Sequence, residues 1–126
     1  MHIQGKYMKT ENIIVDKSKA FAIRIVKLAQ YLSLDKKEYV LSKQVLRSGT
    51  SIGANVKEAI RAQSKADFIS KMSIALKEAS ETEYWLELLH ETGYITENQF
   101  NSIIPECVEV IKIITSIINS AKKEVQ

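Results

Sequence analysis

The sequence predicts a single all-α domain, folded as an antiparallel four-helix bundle with up-down-up-down topology. The chain has 126 residues, a length that suits one domain. It contains one proline and four glycines, which favours a few long helices over many short strands and turns. Apolar residues recur at intervals of three and four in four segments, the period of amphipathic helices. The connections between these segments are short, so consecutive helices run antiparallel.

The first helix is expected after a flexible N-terminal tail at residues 1–10, with the bundle occupying residues 11–126. This helix extends from about Asn12 to Leu32. Its apolar face is formed by Phe21, Ile25, Leu28 and Leu32. The polar segment SLDKKE at residues 33–38 then predicts a short connection.

The second helix is expected from about Lys37 to Ala62, and it contains the segment RSGTSIGANV at residues 47–56. Each glycine inside a helix costs about 1 kcal/mol relative to alanine, so two of them need a reason. A phosphate-binding loop requires the spacing GxxxxGK, whereas Gly49 and Gly53 are four residues apart and no lysine follows directly. A break between two helices stays open. We favour a continuous helix whose small face lets another helix approach closely.

The ends of the last two helices are marked by capping residues. The third helix follows the segment QSKAD, with Ser64 as N-cap and Asp67 in the first turn, and it ends near Thr92. Gly93 is well placed to terminate it in the left-handed conformation. Thr96 is expected to cap the fourth helix.

The fourth helix is apolar on most of its sides between residues 103 and 118. One bundle core needs an apolar stripe of roughly 100°. The wider face predicts a second partner, and we expect a homo-oligomer. Pro105 lacks an N–H, so it either kinks this helix near its start or occupies the first position of the helix after a separate first turn.

A polar stripe runs along the second helix beside the two glycines. We expect Ser51 and Asn55 to meet Glu83 of the third helix in a structural polar layer next to the core, with Arg47 on the same stripe. Such a layer must satisfy its own hydrogen bonds, and it can fix the helix register at a cost in stability. A structural role is favoured over a catalytic one.

The motifs that could bind a metal or act as a nucleophile are weak. Glu87 and His90 form one ExxH, but a di-iron bundle needs two such pairs, and the other histidine is His2 in the expected tail. Cys107 falls on the apolar face of the fourth helix and is interpreted as a core residue. We therefore expect no catalytic residue, no metal site and no cofactor.

One enzymatic alternative stays open. The pairs Glu78/Glu81 and Glu106/Glu109 resemble the ExxE pairs of all-α nucleotide pyrophosphohydrolases, which gather carboxylates around Mg²⁺. ExxE is also common on the exposed face of any helix. A Mg²⁺-dependent phosphohydrolase would require all four glutamates to converge.

The net charge of +3 is distributed unevenly. Residues 1–66 carry 13 Lys or Arg against five Asp or Glu, a balance of +8, and residues 67–126 carry five against ten, a balance of −5. A basic half predicts an anionic partner, unless the acidic helices neutralise it within the fold or between subunits. The candidate nucleic-acid-binding residues are Arg24, Lys27, Arg47, Lys57, Arg61 and Lys65.

The cellular compartment is expected to be the cytoplasm. The N-terminal segment has no apolar core of a signal peptide, and a lone cysteine fits a reducing environment. No apolar stretch of about 18 residues is present, so no membrane span is expected.

The central block, residues 41–89, resembles that of the bacterial four-helix-bundle proteins called 23S rRNA intervening-sequence proteins. That family has an R-S-x-x-S-I-x-x-N core, matched here by Arg47, Ser48, Ser51, Ile52 and Asn55. It continues with D-F and an A-x-x-S-x-x-E stretch, matched by Asp67, Phe68 and residues around Ala79, Ser80 and Glu83. The resemblance covers about residues 12–122. The family usually reads I-A-E-G after the asparagine, where this chain reads V-K-E-A.

The resemblance implies a left-handed antiparallel bundle that assembles as a homopentamer. The family is named for genes inside intervening sequences of ribosomal RNA genes, and its members have no established catalytic activity. A related branch serves the reverse transcriptase of diversity-generating retroelements, where a basic barrel contacts nucleic acid and the enzyme. We therefore hypothesise a non-enzymatic accessory factor that binds RNA or DNA. The alternative is a protein–protein scaffold whose Lys and Arg residues are dispersed and ion-paired.

Overall fold

The four predicted helices are all present. The computed structural model describes the backbone of residues 8–125 and the side chains of residues 12–124. Over that backbone the chain is helical without any strand, and the helices are α1 Met8–Leu34, α2 Val40–Ile60, α3 Lys65–Glu91 and α4 Glu97–Val125. The predicted all-α four-helix bundle is confirmed. None of these helices contains a window long and apolar enough to cross a bilayer.

Each helix packs against two neighbours. α2 lies between α1 and α3, and α4 closes the bundle against α3 and α1. All four helices contribute fully buried apolar side chains to one core, among them Ile25, Ile52, Leu86 and Ile114. Removal of this apolar surface from water is the main stabilising contribution.

α2 is continuous through RSGTSIGANV, as predicted. A Cβ atom at Gly49 would lie 2.6 Å from Cγ2 of Ile25 on α1, and one at Gly53 would lie 3.6 Å from the carbonyl oxygen of Ser18. The two glycines therefore face α1 and allow it to approach α2 closely. The phosphate-loop and helix-break interpretations are wrong.

α2 begins at Val40, three residues later than the sequence predicts. Lys37 has a φ of +57°, in the left-handed region that α-helices exclude. The Glu38 carboxylate accepts hydrogen bonds from the backbone N–H groups of Val40 at 3.3 Å and Ser42 at 2.9 Å. These bonds satisfy donors at the start of α2 that have no partner within the helix.

The predicted termini of α3 are confirmed. Ser64 Oγ accepts a hydrogen bond from the Asp67 N–H at 3.1 Å. Gly93 has a φ of +82° and follows the end of the helix. The Tyr94 N–H then donates to the Leu89 carbonyl oxygen at 2.9 Å, the bond expected of a glycine-terminated helix.

α4 begins with a reciprocal capping box. Thr96 Oγ1 accepts from the Gln99 N–H at 3.1 Å, and Gln99 Oε1 accepts from the Thr96 N–H at 2.8 Å. The helix then continues through Pro105, so the alternative in which Pro105 opens a separate helix is wrong. Apolar side chains on the sides of α4 are only half-buried, namely Ile104, Val108, Ile111 and Ile113.

α1 begins at Met8, four residues before the predicted Asn12. The expected tail at residues 1–10 therefore overlaps α1 in its last three residues. Residues 1–7 lie outside the described part of the chain, so a flexible tail there stays a prediction.

Candidate functional site

The six basic residues selected from the sequence do not form one cluster. Three of them contact carboxylates on neighbouring helices, namely Arg24, Arg47 and Lys65. The other three are exposed, and none forms an ion pair within residues 12–124, namely Lys27, Lys57 and Arg61. Acidic helices thus neutralise half of the predicted set.

The Arg24 guanidinium bridges α1 and α4. Its Nη1 donates to the Ser102 carbonyl oxygen at 2.9 Å and to the Glu106 carboxylate, and its Nη2 donates to Ser102 Oγ at 3.0 Å. Two helical turns earlier on α1, Lys17 Nζ lies 3.2 Å from Glu109 Oε1. Both ion pairs are partly exposed to solvent, where such pairs contribute up to about 1 kcal/mol.

Arg47 makes the corresponding connection between α2 and α3. Its Nη1 donates to Glu78 Oε1 at 3.2 Å, and its Nη2 donates to the Glu81 carboxylate. Lys65 at the start of α3 lies 3.4 Å from Glu124 near the end of α4. Arg24, Arg47 and Lys65 are thus each paired with a carboxylate of the same chain.

The two glutamate pairs of the phosphohydrolase hypothesis do not converge. Glu78 and Glu81 lie where α3 meets α2, and Glu106 and Glu109 lie where α4 meets α1. These two edges are on opposite sides of the bundle, because α2 neighbours α3 and α4 neighbours α1. Each pair already contacts a Lys or Arg side chain, so the arrangement lacks the shared oxygen cluster that Mg²⁺ requires.

Cys107 is fully buried, as the sequence predicts. Its Sγ donates to the Ala79 carbonyl oxygen at 3.4 Å. Burial, followed by the charges of Glu83 and Glu87, raises the pKa of the thiol from 9.0 to about 12. The thiolate is the nucleophilic form of cysteine, so this side chain is inert at neutral pH.

The histidine of the ExxH motif contacts residues of α4 instead of a metal site. The His90 ring stacks on the Phe100 ring with centroids 4.4 Å apart. Its Nε2 lies 3.5 Å from Glu97 Oε1, while Glu87 is exposed. Among the side chains of residues 12–124, no group of three or more His, Cys, Asp or Glu is arranged to hold a metal ion.

The structure does not bring Ser51 and Asn55 to Glu83. Ser51 Oγ donates to the Arg47 carbonyl oxygen at 2.6 Å, and Asn55 Nδ2 donates to the Ser51 carbonyl oxygen at 2.8 Å. Short polar side chains often bond the preceding helical turn, and here that satisfies both within α2. Glu83 instead lies on the side of α3 where its charge acts on Cys107 of α4.

The buried polar contact between α2 and α3 is formed by Ser48 and Thr82. Their hydroxyl oxygens lie 2.8 Å apart, and both residues are fully buried. Ser48 comes three residues after Val45 and four before Ile52, so its place on the apolar stripe is readable from spacing. This pair was not among the residues predicted from the sequence.

Lys57 and Arg61 belong to a larger basic surface that the sequence analysis also missed. We define the α1/α2 outer face as the exposed surface that carries four cations, Lys19, Lys43, Lys57 and Arg61. None of the four forms an ion pair with a described side chain. The α2 part of this face could have been predicted from the sequence, because Lys43, Lys57 and Arg61 share one face of an α-helix with Ala54.

A shallow hollow of about 210 Å³ lies within this face, between Lys19 and Lys57. Small residues line its bottom, namely Ala22, Gly53 and Ala54. Lys19 of α1 and Lys57 of α2 therefore line the same hollow.

A second concave site, which we call the α1/α4 cleft, lies between the C-terminal half of α1 and the start of α4. Its volume is about 500 Å³. Its apolar part is lined by Leu28, Ile95 and Ile103. Its polar part is lined by Arg24, Lys27, Tyr31, Asn98, Gln99 and Ser102.

Comparison with known proteins agrees with the resemblance in the central block. The family model described as 23S rRNA-intervening sequence protein matches residues 10–116 of the chain. The chain belongs to this family. A similar solved structure is that of a protein of unknown function from the S23 ribosomal protein family of Bacteroides thetaiotaomicron. It is 58% identical, with a TM-score of 0.86, and the match covers 87% of this chain and 98% of that chain.

No curated protein matches the chain. In this member of the 23S rRNA-intervening sequence family, residues 56–59 read V-K-E-A. Val56 and Ala59 are buried in the core. Glu58 lies 3.2 Å from Lys71 on α3, and Lys57 is part of the α1/α2 outer face. Lys57 therefore contributes a cation to that face, while Val56 and Ala59 belong to the core.

Proposed function

We propose that this family member is a non-enzymatic, oligomeric accessory factor that binds nucleic acid through the α1/α2 outer face. The observation that supports this most is the set of four exposed cations with no carboxylate partner among the described side chains, Lys19, Lys43, Lys57 and Arg61. Each phosphate that such a surface neutralises releases condensed counterions, which favours binding. The link of the family to 23S rRNA intervening sequences agrees with a nucleic-acid partner.

The expected contact is with phosphates. Lys and Arg on a helical surface recognise the charge and spacing of a backbone, whereas sequence is read by side chains that reach base edges in a groove. The α1/α2 outer face is built along two packed helices, and neither helix projects from the bundle. Binding there is therefore expected to depend strongly on salt and weakly on sequence.

Apolar surface on α4 supports the oligomeric part of the proposal. Val108 is half-buried, yet it is not among the side chains packed against the core, and it lies beside Ile104 and Pro105 at a surface hollow. On α1, Ile23 is 50% exposed. A second copy of the chain that covered such surface would remove apolar area from water. The family resemblance implies a pentamer, in which the basic face would repeat around the axis.

The proposal of a non-enzymatic role rests on two arrangements. The ExxE glutamates contact Arg and Lys at opposite edges of the bundle. The Cys107 thiol is buried, with its pKa raised to about 12. A free buried thiol also agrees with a reducing cytoplasm.

Charge-removal variants on matched exposed lysines test the proposal. Lys57→Gln, and the double variant Lys57→Gln with Arg61→Gln, remove charges from the α1/α2 outer face, while Lys77→Gln removes one from α3. The slope of log affinity against log salt for an RNA hairpin or a DNA duplex should decrease by about 1 for each removed contact. Lys77→Gln should keep the slope of the unmodified protein. Equal slopes for all variants would place the contact elsewhere and overturn the proposed face.

A protein–protein scaffold without nucleic acid is the second candidate. It is favoured by the ion pairs that consume Lys17, Arg24 and Arg47 inside the bundle. The same binding series separates the two candidates. Absence of binding near 50 mM salt favours the scaffold, because the phosphate contribution is large at low salt.

A further inference from the structure

The α1/α4 cleft carries apolar and amide side chains that phosphate contacts on the α1/α2 outer face would not use. Its volume of about 500 Å³ falls within the range of small-ligand sites, roughly 300–1,000 Å³. Of the neighbouring helix pairs, α1 and α4 are in least extensive contact, and the cleft opens where α4 begins. Leu28, Ile95 and Ile103 give it an apolar floor.

Two cations stand at the rim of this cleft, three residues apart on the same side of α1. Arg24 has five N–H donors, and three hydrogen bonds to Ser102 and Glu106 fix its position. Two donors remain for a ligand. Lys27 is exposed and forms no ion pair with a described carboxylate. An anionic group between Arg24 and Lys27 would meet the adaptable ammonium of Lys27 and the remaining N–H donors of a guanidinium that is already paired with Glu106.

Side-chain amides lie across the floor from these cations. Asn98 is exposed, and its side chain makes no hydrogen bond within the described residues. Gln99 uses its Oε1 to accept from the Thr96 N–H, which leaves its NH₂ group to donate. Amide side chains can donate to and accept from the edges of nucleobases.

We propose that the α1/α4 cleft binds one unpaired nucleotide. The base lies on the apolar floor with its edge toward Asn98 and Gln99, and the phosphate lies between Lys27 and Arg24. A base that is stacked and paired in a duplex cannot enter a cleft of this shape, whereas the bases of single strands and loops can be splayed out. The inference rests on the proposed function and adds that the bound nucleic acid is single-stranded at this point.

The first test compares a single strand of about twelve nucleotides with a hairpin stem of the same composition, by fluorescence anisotropy. Asn98→Trp fills the cleft from an exposed position, and Lys27→Gln removes the rim charge without adding bulk. Lys57→Gln on the α1/α2 outer face, outside the cleft, is the matched control. Unchanged circular dichroism and melting temperature establish that each variant is folded.

Asn98→Trp should weaken single-strand binding by at least about tenfold and leave hairpin binding within about twofold. Lys27→Gln should also lower the ratio of single-strand to hairpin affinity. Lys57→Gln should weaken both ligands alike. If neither cleft variant changes the ratio of single-strand to hairpin affinity, the proposed nucleotide site is overturned. The proposed binding at the α1/α2 outer face is not affected by that result. If the unmodified protein binds neither ligand, the proposed function itself is overturned.

Mononucleotides supply a second readout that does not depend on the outer face. A nucleoside 5′-monophosphate should raise the melting temperature of the unmodified protein but not that of Asn98→Trp. Inorganic phosphate at the same concentration should have little effect. Equal stabilisation by phosphate and by the mononucleotide would overturn the role of the base. Ribose and deoxyribose forms of the single strand show which sugar the cleft accepts.

Discussion

Gly49 lies where α1 packs very closely on α2. The space for its Cβ is occupied by Cγ2 and Cγ1 of Ile25, at 2.6 and 2.8 Å. Ile25 is fully buried and β-branched, so its side chain has little freedom to move aside. At Gly53 the nearest atom to a Cβ would be Ser18 Oγ at 3.5 Å, an ordinary contact. Gly49 and Gly53 thus differ in how well they tolerate an added side-chain carbon, although both lie on the face of α2 that packs on α1.

Substitution of each glycine by alanine tests this difference. Gly49→Ala should lower the free energy of unfolding by about 1–3 kcal/mol, because overpacking at Ile25 outweighs the better helix propensity of alanine. Gly53→Ala should be neutral or raise it by up to about 1 kcal/mol. Urea denaturation of both variants measures the two changes. Equal effects at the two positions would contradict the close approach at Gly49.

Cys107 makes stability depend on pH in the alkaline range. Its pKa is raised from 9.0 to about 12 in the folded chain, by burial and then by the charges of Glu83 and Glu87. Above pH 9 the unfolded chain therefore loses the thiol proton while the folded chain keeps it. The stability that this group contributes is complete below pH 9 and is lost as pH rises toward 12, by about 1 kcal/mol per pH unit.

Denaturation of the unmodified protein and of Cys107→Ala between pH 8 and pH 10.5 isolates this contribution. We expect the difference in unfolding free energy between the two proteins to shrink as pH rises. Thiol reagents should react with Cys107 only after unfolding, since the buried thiol is not ionised. A constant difference across this range would contradict the raised pKa.

The helices themselves were predictable, because each has an apolar stripe and because α3 and α4 also have recognisable capping residues. The start of α2 was not, since Lys37 adopts a left-handed conformation that is uncommon for a lysine. The predicted polar layer of Ser51, Asn55 and Glu83 does not form, and spacing alone could not have shown this. Ser51 and Asn55 had the choice of bonding across to α3 or back to the carbonyls of α2, and only three-dimensional packing decides between them.

The half-buried side chains of α4 give a prediction at the level of a single helix. Val108→Lys should reduce the mass of the particle in solution without loss of helix content, because Val108 does not pack against the core. Ser70→Lys, on the exposed side of α3, is the matched control and should leave the mass unchanged. Light scattering measures both. Equal masses for Val108→Lys and the unmodified protein would contradict the role proposed for this side of α4.

For the whole molecule, the charge asymmetry between the two halves was correctly visible in the sequence, but its consequence was not. Positions of Lys and Arg along the chain do not reveal that Arg24 and Arg47 reach carboxylates on neighbouring helices. Positions 43 and 57 share one face of α2, but the sequence does not reveal that Lys19 of α1 lines the same hollow as Lys57. Pairing across helices depends on rotation about each helix axis, which sequence periodicity fixes only approximately.

The central claim is that this family member binds nucleic acid by its exposed cations. The most direct measurement is the affinity of the purified protein for a structured RNA and for duplex DNA over a salt series, with particle mass measured in the same buffer. We expect binding by an oligomer, with a log affinity that falls steeply and linearly with log salt. Absence of binding near 50 mM salt, or binding that is insensitive to salt, would contradict it.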